Sequence, residues 1–205
     1  MDFLLFFVLA FLISAVGSIP PGLITLTILR SSVQNGRRDG LWISVGALIP
    51  EFIYTYLALV GYRYLQQNPF VSEYIQQAAT AVFLLFGIYY LLKKVNPQTL
   101  EFAVEREAKN GASGFSRGLG IGFLNMLIVP FWVFVAGWLS MYDMAFEDLG
   151  LIISFCLGAA IGAGVVFWGY VELGNWLVNR LGRIEYYTNK VVGGIFLGLG
   201  LLQLI

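Results

Sequence analysis

The chain has 205 residues, of which 59% are apolar and only 12% are charged, with twelve basic and twelve acidic side chains. A soluble domain carries about 25% charged residues, so this composition indicates an integral membrane protein. The balanced charge does not point to nucleic acid, and the sequence has no histidine, the usual metal ligand and general base. We therefore expect a protein that is not an enzyme and that needs no cofactor or metal.

Continuous apolar runs of roughly twenty residues, the length of a membrane-spanning helix, occur six times along the chain. Their predicted bounds are Phe3–Leu29, Leu41–Tyr62, Ile75–Leu92, Gly118–Met141, Leu149–Val171 and Val191–Ile205. The pattern predicts one all-α transmembrane domain over residues 1–205.

The first predicted span contains two consecutive prolines followed by a glycine, Pro20, Pro21 and Gly22. Because proline removes a backbone donor and clashes with the preceding turn, the helix should be interrupted here. A second piece beginning near Pro21 would direct free N–H groups and a positive dipole end into the membrane, where a carboxylate would bind. Thr25, one turn further on, would add a hydroxyl. The alternative is a proline kink that binds nothing.

Glu51, in the second predicted span, is the only acid in the interior of any span. It lies about 15 Å from either end at 1.5 Å per residue. A charge at this depth is costly, so such residues usually face a cavity and mark an ion or substrate path. Glu51 is predicted to exchange a coupling proton or to pair with a substrate ammonium. The alternative is a protonated or hydrogen-bonded structural acid.

The fourth predicted span contains Asn125 and Pro130. Asn125 lies about 12 Å inward from Arg117 at 1.5 Å per residue. Its amide can donate and accept, so it would bind substrate, or it would join neighbouring helices as a polar contact. Pro130 removes a hydrogen bond to the carbonyl four residues earlier, which predicts a deformation near the middle of the span.

Eleven of the twelve basic residues lie in the first, third and fifth loops, and only Arg63 lies in another loop. Because cytoplasmic loops carry the excess of lysine and arginine, both termini are predicted to lie outside.

Short matches at a nearly constant offset relate the two halves of the sequence. They pair residues 46–49 with 158–161, residues 83–92 with 194–203, and Pro21 with Pro130. Three spans per half make the repeats inverted, an arrangement found in transporters with a site near the midplane. We predict repeat one at about residues 1–95, a cytoplasmic linker at about 96–116 and repeat two at about 117–205.

Five motifs, in this order along the chain, carry a family resemblance. They are Pro20-Pro21-Gly22 with the preceding isoleucine, residues 36–40, residues 85–92, Gly122 to Asn125 with Pro130, and residues 192–200. Together they resemble the LysE/RhtB translocator family over essentially the whole chain. The resemblance implies a bacterial inner-membrane exporter of amino acids or related metabolites, coupled to the proton or potential gradient.

The leading prediction is therefore a secondary exporter whose two halves rock to alternate access. Its partners would be a small amino acid or analogue and membrane lipids, and Gly- and Ala-rich helix faces would suit a homodimer. The alternatives are a membrane scaffold and a channel without coupled transport. The predicted substrate-binding residues are Pro20, Pro21, Gly22, Thr25, Asn125 and Pro130, with Glu51 for the proton or amine.

Overall fold

The computed structural model describes residues 3–67, 84–85, 87–88, 91–92, 113–142, 144, 146, 148–174, 176, 190, 193–194, 197–198 and 201. Within them the regular elements are α-helices: α1 (Phe3–Ser18), α2 (Leu23–Gln34), α3 (Arg37–Gln67), α4 (Gly114–Leu124), α5 (Ile128–Ser140) and α6 (Leu149–Glu172). The prediction of an all-α membrane protein is confirmed. Most of the third and sixth predicted spans and of the linker lies outside the described residues.

Two predicted spans each consist of two helices joined by a short break. α1 and α2 are bent by 70° across residues 19–22, and α4 and α5 are bent by 60° across residues 125–127. Each bent pair is long and apolar enough to cross a membrane as one broken span. The prediction that the first and fourth spans are interrupted is therefore confirmed.

The two breaks differ in how closely they follow proline. In the first, α2 begins at Leu23, two residues after Pro21. In the second, α4 ends at Leu124, and the next residue, Asn125, has backbone angles of φ −84° and ψ 60° that leave the helical region. Pro130 is instead the third residue of α5. The missing N–H of Pro130 removes no intrahelical hydrogen bond there, because the N–H groups of a first helical turn have no acceptor in their own helix.

The two continuous helices, α3 and α6, each pack against the first piece of an interrupted helix through glycines. Where α3 crosses α4, a Cβ atom on Gly46 or Gly118 would collide with backbone atoms of the other helix. Where α6 crosses α1, the same holds for Gly158 and Gly162. The small residues of α6 therefore allow close packing within the chain, and these two glycines are not free to form a homodimer.

Two clusters of buried apolar side chains lie one above the other along the bundle. The first cluster contains side chains from α1, from α5, from the later part of α3 and from the earlier part of α6. Its members include Phe6, Leu59, Trp132 and Phe155. The second draws on α2, the earlier part of α3, α4 and the later part of α6.

The helices pass from one cluster to the other at a common level, which we call the mid-bundle layer. It comprises the first break (residues 19–22), the second break (residues 125–127) and the pair Pro50 and Glu51 of α3. α3 crosses this level without interruption, although Pro50 lies inside the helix. The layer thus combines irregular backbone with an acidic side chain at the centre of an apolar bundle.

Candidate functional site

The Glu51 side chain is buried in the mid-bundle layer, with 8% of its surface exposed. One of its carboxylate oxygens accepts a hydrogen bond from the indole N–H of Trp132 on α5, at 3.3 Å. Trp132 is fully buried, and Phe155 packs edge-to-face against it at 5.2 Å between ring centroids. The donor to Glu51 is therefore held rigidly by the apolar core on the α5 side.

A carboxylate can accept about four hydrogen bonds. Among the described residues, only Trp132 bonds to the side chain of Glu51, while Thr55 donates to its backbone carbonyl at 2.7 Å. The carboxyl group consequently keeps capacity for a proton or for a donor on a bound molecule.

The N-terminus of α2 is capped by the side chain of Thr25 from the same helix. The Thr25 hydroxyl accepts a hydrogen bond from the N–H of Gly22 at 2.8 Å and lies 3.2 Å from the Gly22 carbonyl, to which it can donate. The first backbone bond of α2 runs from Leu26 N–H to the Gly22 carbonyl at 2.9 Å. The N–H groups of Leu23, Ile24 and Thr25 precede it and have no acceptor in their own helix. The Thr25 hydroxyl thus caps the start of α2, and its role in binding substrate stays a prediction.

Two tyrosines that the sequence analysis did not single out stabilise the backbone at the breaks. The hydroxyl of Tyr170, near the end of α6, donates to the Ile19 carbonyl at 2.7 Å. The hydroxyl of Tyr54 on α3 donates to the Phe123 carbonyl, near the end of α4, also at 2.7 Å. Each hydroxyl satisfies a carbonyl close to a helix end that would otherwise lack a partner in an apolar setting.

The structure places the other predicted site residues at the same level. Asn125 is half-buried and caps the C-terminus of α4, with its backbone N–H bonded to the Gly122 carbonyl at 3.1 Å. Gly122 lies against Pro50, since an added Cβ would come within 2.7 Å of the proline ring. The end of α4 is therefore next to the residues that flank Glu51. Pro130 is half-buried in the first turn of α5.

The contacts divide the predicted residues into two groups. Glu51 is in contact with α5, while the residues beside it on α3 contact the end of α4. The first break is tied to α6 instead, through the hydrogen bond from Tyr170 to the Ile19 carbonyl directly before Pro20. Within the described part of the chain, no hydrogen bond joins Glu51 to Thr25 or to Asn125.

This architecture of broken spans around a central carboxyl group is typical of a membrane transporter. The model of the LysE type translocator family matches residues 15–205. The chain belongs to this family, which is a family of transporters and not of enzymes.

The chain is also similar to an uncharacterised membrane protein, slr1627, of Synechocystis sp.. The two are 24% identical over 188 residues, which cover 90% of this chain and 88% of the relative. No solved structure matches the chain significantly.

Proposed function

We propose that this protein is a secondary exporter of amino acids or similar small zwitterions, driven by the proton or potential gradient. The observation that carries the proposal is the position of Glu51, a carboxyl group buried at the level where both interrupted spans break. An acid inside a membrane bundle is costly and usually marks an ion or substrate path. Glu51 would exchange the coupling proton or bind the substrate amine.

The substrate carboxylate would bind at the start of α2. The N–H groups of Leu23 and Ile24 point along the helix axis at its positive end, where an anion is stabilised. Gly22 lies directly before them and carries no side chain to block access. Asn125, at the end of α4 in the same layer, would complete the polar pocket on the opposite side.

Two inverted three-helix repeats would give this site access to each side of the membrane in turn. The packing supports this division. α3 crosses α4 through Gly46 and Gly118, and α6 crosses α1 through Gly158 and Gly162, so corresponding helices exchange partners between the halves. The end of the bundle near Arg117 would face the cytoplasm of a bacterial cell, because the loops rich in lysine and arginine are predicted at that end.

Counterflow in proteoliposomes tests the proposal. Vesicles loaded with an unlabelled amino acid should accumulate the labelled form of the same amino acid transiently, without any imposed gradient. A channel would only equilibrate the label, and a scaffold would not move it. Failure across the proteinogenic amino acids and their close analogues would contradict the proposed substrate class.

The role of the first break is tested by replacing Pro20 and Pro21 together with leucine. A continuous helix would then consume the N–H groups at the start of α2 in intrahelical hydrogen bonds. We expect substrate binding, measured by thermal shift, to fall by at least tenfold while the amount of protein in the membrane changes much less. Unchanged transport by this variant would mean that the break is a tolerated kink and not the carboxylate site.

A further inference from the structure

A cluster of polar side chains joins three helices at one end of the bundle, more than two helical turns from Glu51. Arg117, in the first turns of α4, forms an ion pair with Asp39 in the first turn of α3. Ser31, in the last turn of α2, donates to the same Asp39 oxygen and accepts from Arg117 at 3.3 Å. Asn35, which ends α2, donates to Asp39 at 3.2 Å and to Ser31 at 3.1 Å.

The Asp39–Arg117 pair belongs to a rigid unit of the fold. Arg117 is buried, with 7% of its surface exposed. Directly after Arg117, Gly118 lies against the α3 backbone at Ile43, and two turns after Asp39, Gly46 lies against the α4 backbone, so that the two helices have little room to slide or rotate against each other. We therefore expect α3 and α4 to stay together during any movement. The Asp39–Arg117 pair is then a fixed pair of charges with which a third helix can form hydrogen bonds.

α2 differs from α3 and α4, because it lies between two points where the chain can bend. Its first residue follows the break at 19–22. Its last turn is followed by Asn35 and Gly36, and Gly36 has a φ of 93°, a left-handed conformation that glycine adopts without strain. The side chains of Ser31 and Asn35 connect the end of α2, just before Gly36, to the Asp39–Arg117 pair. These hydrogen bonds consequently fix the orientation of α2.

We propose that the Ser31–Asn35–Asp39–Arg117 cluster is a latch that holds α2 closed over the path from this end of the bundle to Glu51. When the latch opens, α2 pivots at Gly36 and at the first break, and water and substrate enter between α2 and α3. The inference rests on the proposed transport function for its purpose. The movement itself is testable without transport.

Ser44 on α3 provides a position at which to detect this opening. It is buried, with 6% of its surface exposed, and among the described residues its hydroxyl bonds only to the Gly40 carbonyl of its own helix, at 2.9 Å. Gly40, one turn before, lies against α2, and Leu48, one turn after, lies against α6. A cysteine at Ser44 is nearly isosteric and is covered as long as α2 stays closed.

The experiment measures how fast a charged methanethiosulfonate modifies Ser44→Cys in a Cys156→Ala background, with the purified full-length protein in detergent. The test variant is Ser31→Ala with Asn35→Ala, which releases α2 and leaves the ion pair intact. The matched control is Ser32→Ala. That side chain packs against Gly40 of α3, but its hydroxyl donates to the Ile28 carbonyl within α2 at 2.6 Å, so the control removes an α2–α3 packing contact and none of the latch hydrogen bonds.

We expect the test variant to be modified at least about tenfold faster than its parent, because one hydrogen bond to a charged group is worth about a factor of ten or more in an equilibrium constant. The control should react at the parental rate. Equal rates in all three proteins would overturn the latch, and so would equal acceleration by the test and control variants, which would indicate general loosening.

A second variant covers the case in which the double substitution does not fold. Asn35 is exposed, so Asn35→Ala alone should be tolerated, and it should accelerate modification while Ser32→Ala does not. If counterflow fails but modification follows this order, the latch stands and the proposed substrate is wrong. If counterflow succeeds and modification does not change, the latch is wrong and the exporter stands.

Discussion

Replacing Glu51 with glutamine should uncouple transport from the pH gradient. Glutamine keeps the shape of the side chain and an acceptor for the Trp132 N–H at 3.3 Å, but it cannot take up or release a proton. Glu51 is the only buried carboxyl group among the described residues, so coupling through this group would move one proton per cycle. When one proton is exchanged for one substrate molecule without net charge, each pH unit of the gradient supplies about 1.4 kcal/mol. This free energy corresponds to a tenfold ratio of substrate concentrations across the membrane.

The assay is uptake of labelled substrate into everted vesicles, with and without an imposed gradient of one pH unit. The natural protein should accumulate substrate up to about tenfold more with the gradient than without it. Glu51→Gln should show no difference between the two conditions while exchange without a gradient continues. Glu51→Asp should keep part of the gradient effect, because a carboxyl group remains.

Glu172→Gln is the matched control for this experiment. Glu172 is a solvent-accessible acid at the end of α6, and it pairs with the exposed Arg37 at 2.6 Å. Such pairs contribute little, about 1 kcal/mol or less, so this variant should retain the full response to the gradient. A gradient response of natural size in Glu51→Gln would refute the assignment of Glu51 as the coupling acid and would favour a purely structural role.

Two further predictions concern packing and orientation. Gly118→Ala should lower the free energy of unfolding by about 1–3 kcal/mol, because its methyl group would meet the backbone of α3; Gly120→Ala, with nothing within 4 Å of the added carbon, should be neutral or slightly stabilising in the same thermal-unfolding assay. Equal melting of the two variants would contradict the packing argument. In a Cys156→Ala background, Tyr142→Cys should react with an impermeant thiol reagent applied outside intact cells, and Arg38→Cys should not; the opposite labelling would reverse the predicted orientation.

Much of the helical framework could be predicted, because its signals are local. Apolar runs long enough to cross a membrane locate α3 and α6, and the consecutive prolines locate the break between α1 and α2. Glu51 stands out as a lone acid within an apolar run. The proline rule locates the second break less well, because α4 already ends before Asn125 and Pro130 fits the first turn of α5 without losing a hydrogen bond.

The partners of these residues were decided by the tertiary structure. The Trp132 donor lies 81 residues from Glu51, Tyr170 lies 151 residues from Ile19, and Arg117 lies 78 residues from Asp39. A tryptophan or tyrosine in an apolar span carries no local mark of which polar group it will reach. Composition and proline positions determine where the chain crosses and breaks, since these depend on a few neighbouring residues. The packing of α3 on α4 and of α6 on α1 decides which buried polar groups meet, because only the folded bundle brings distant segments into contact.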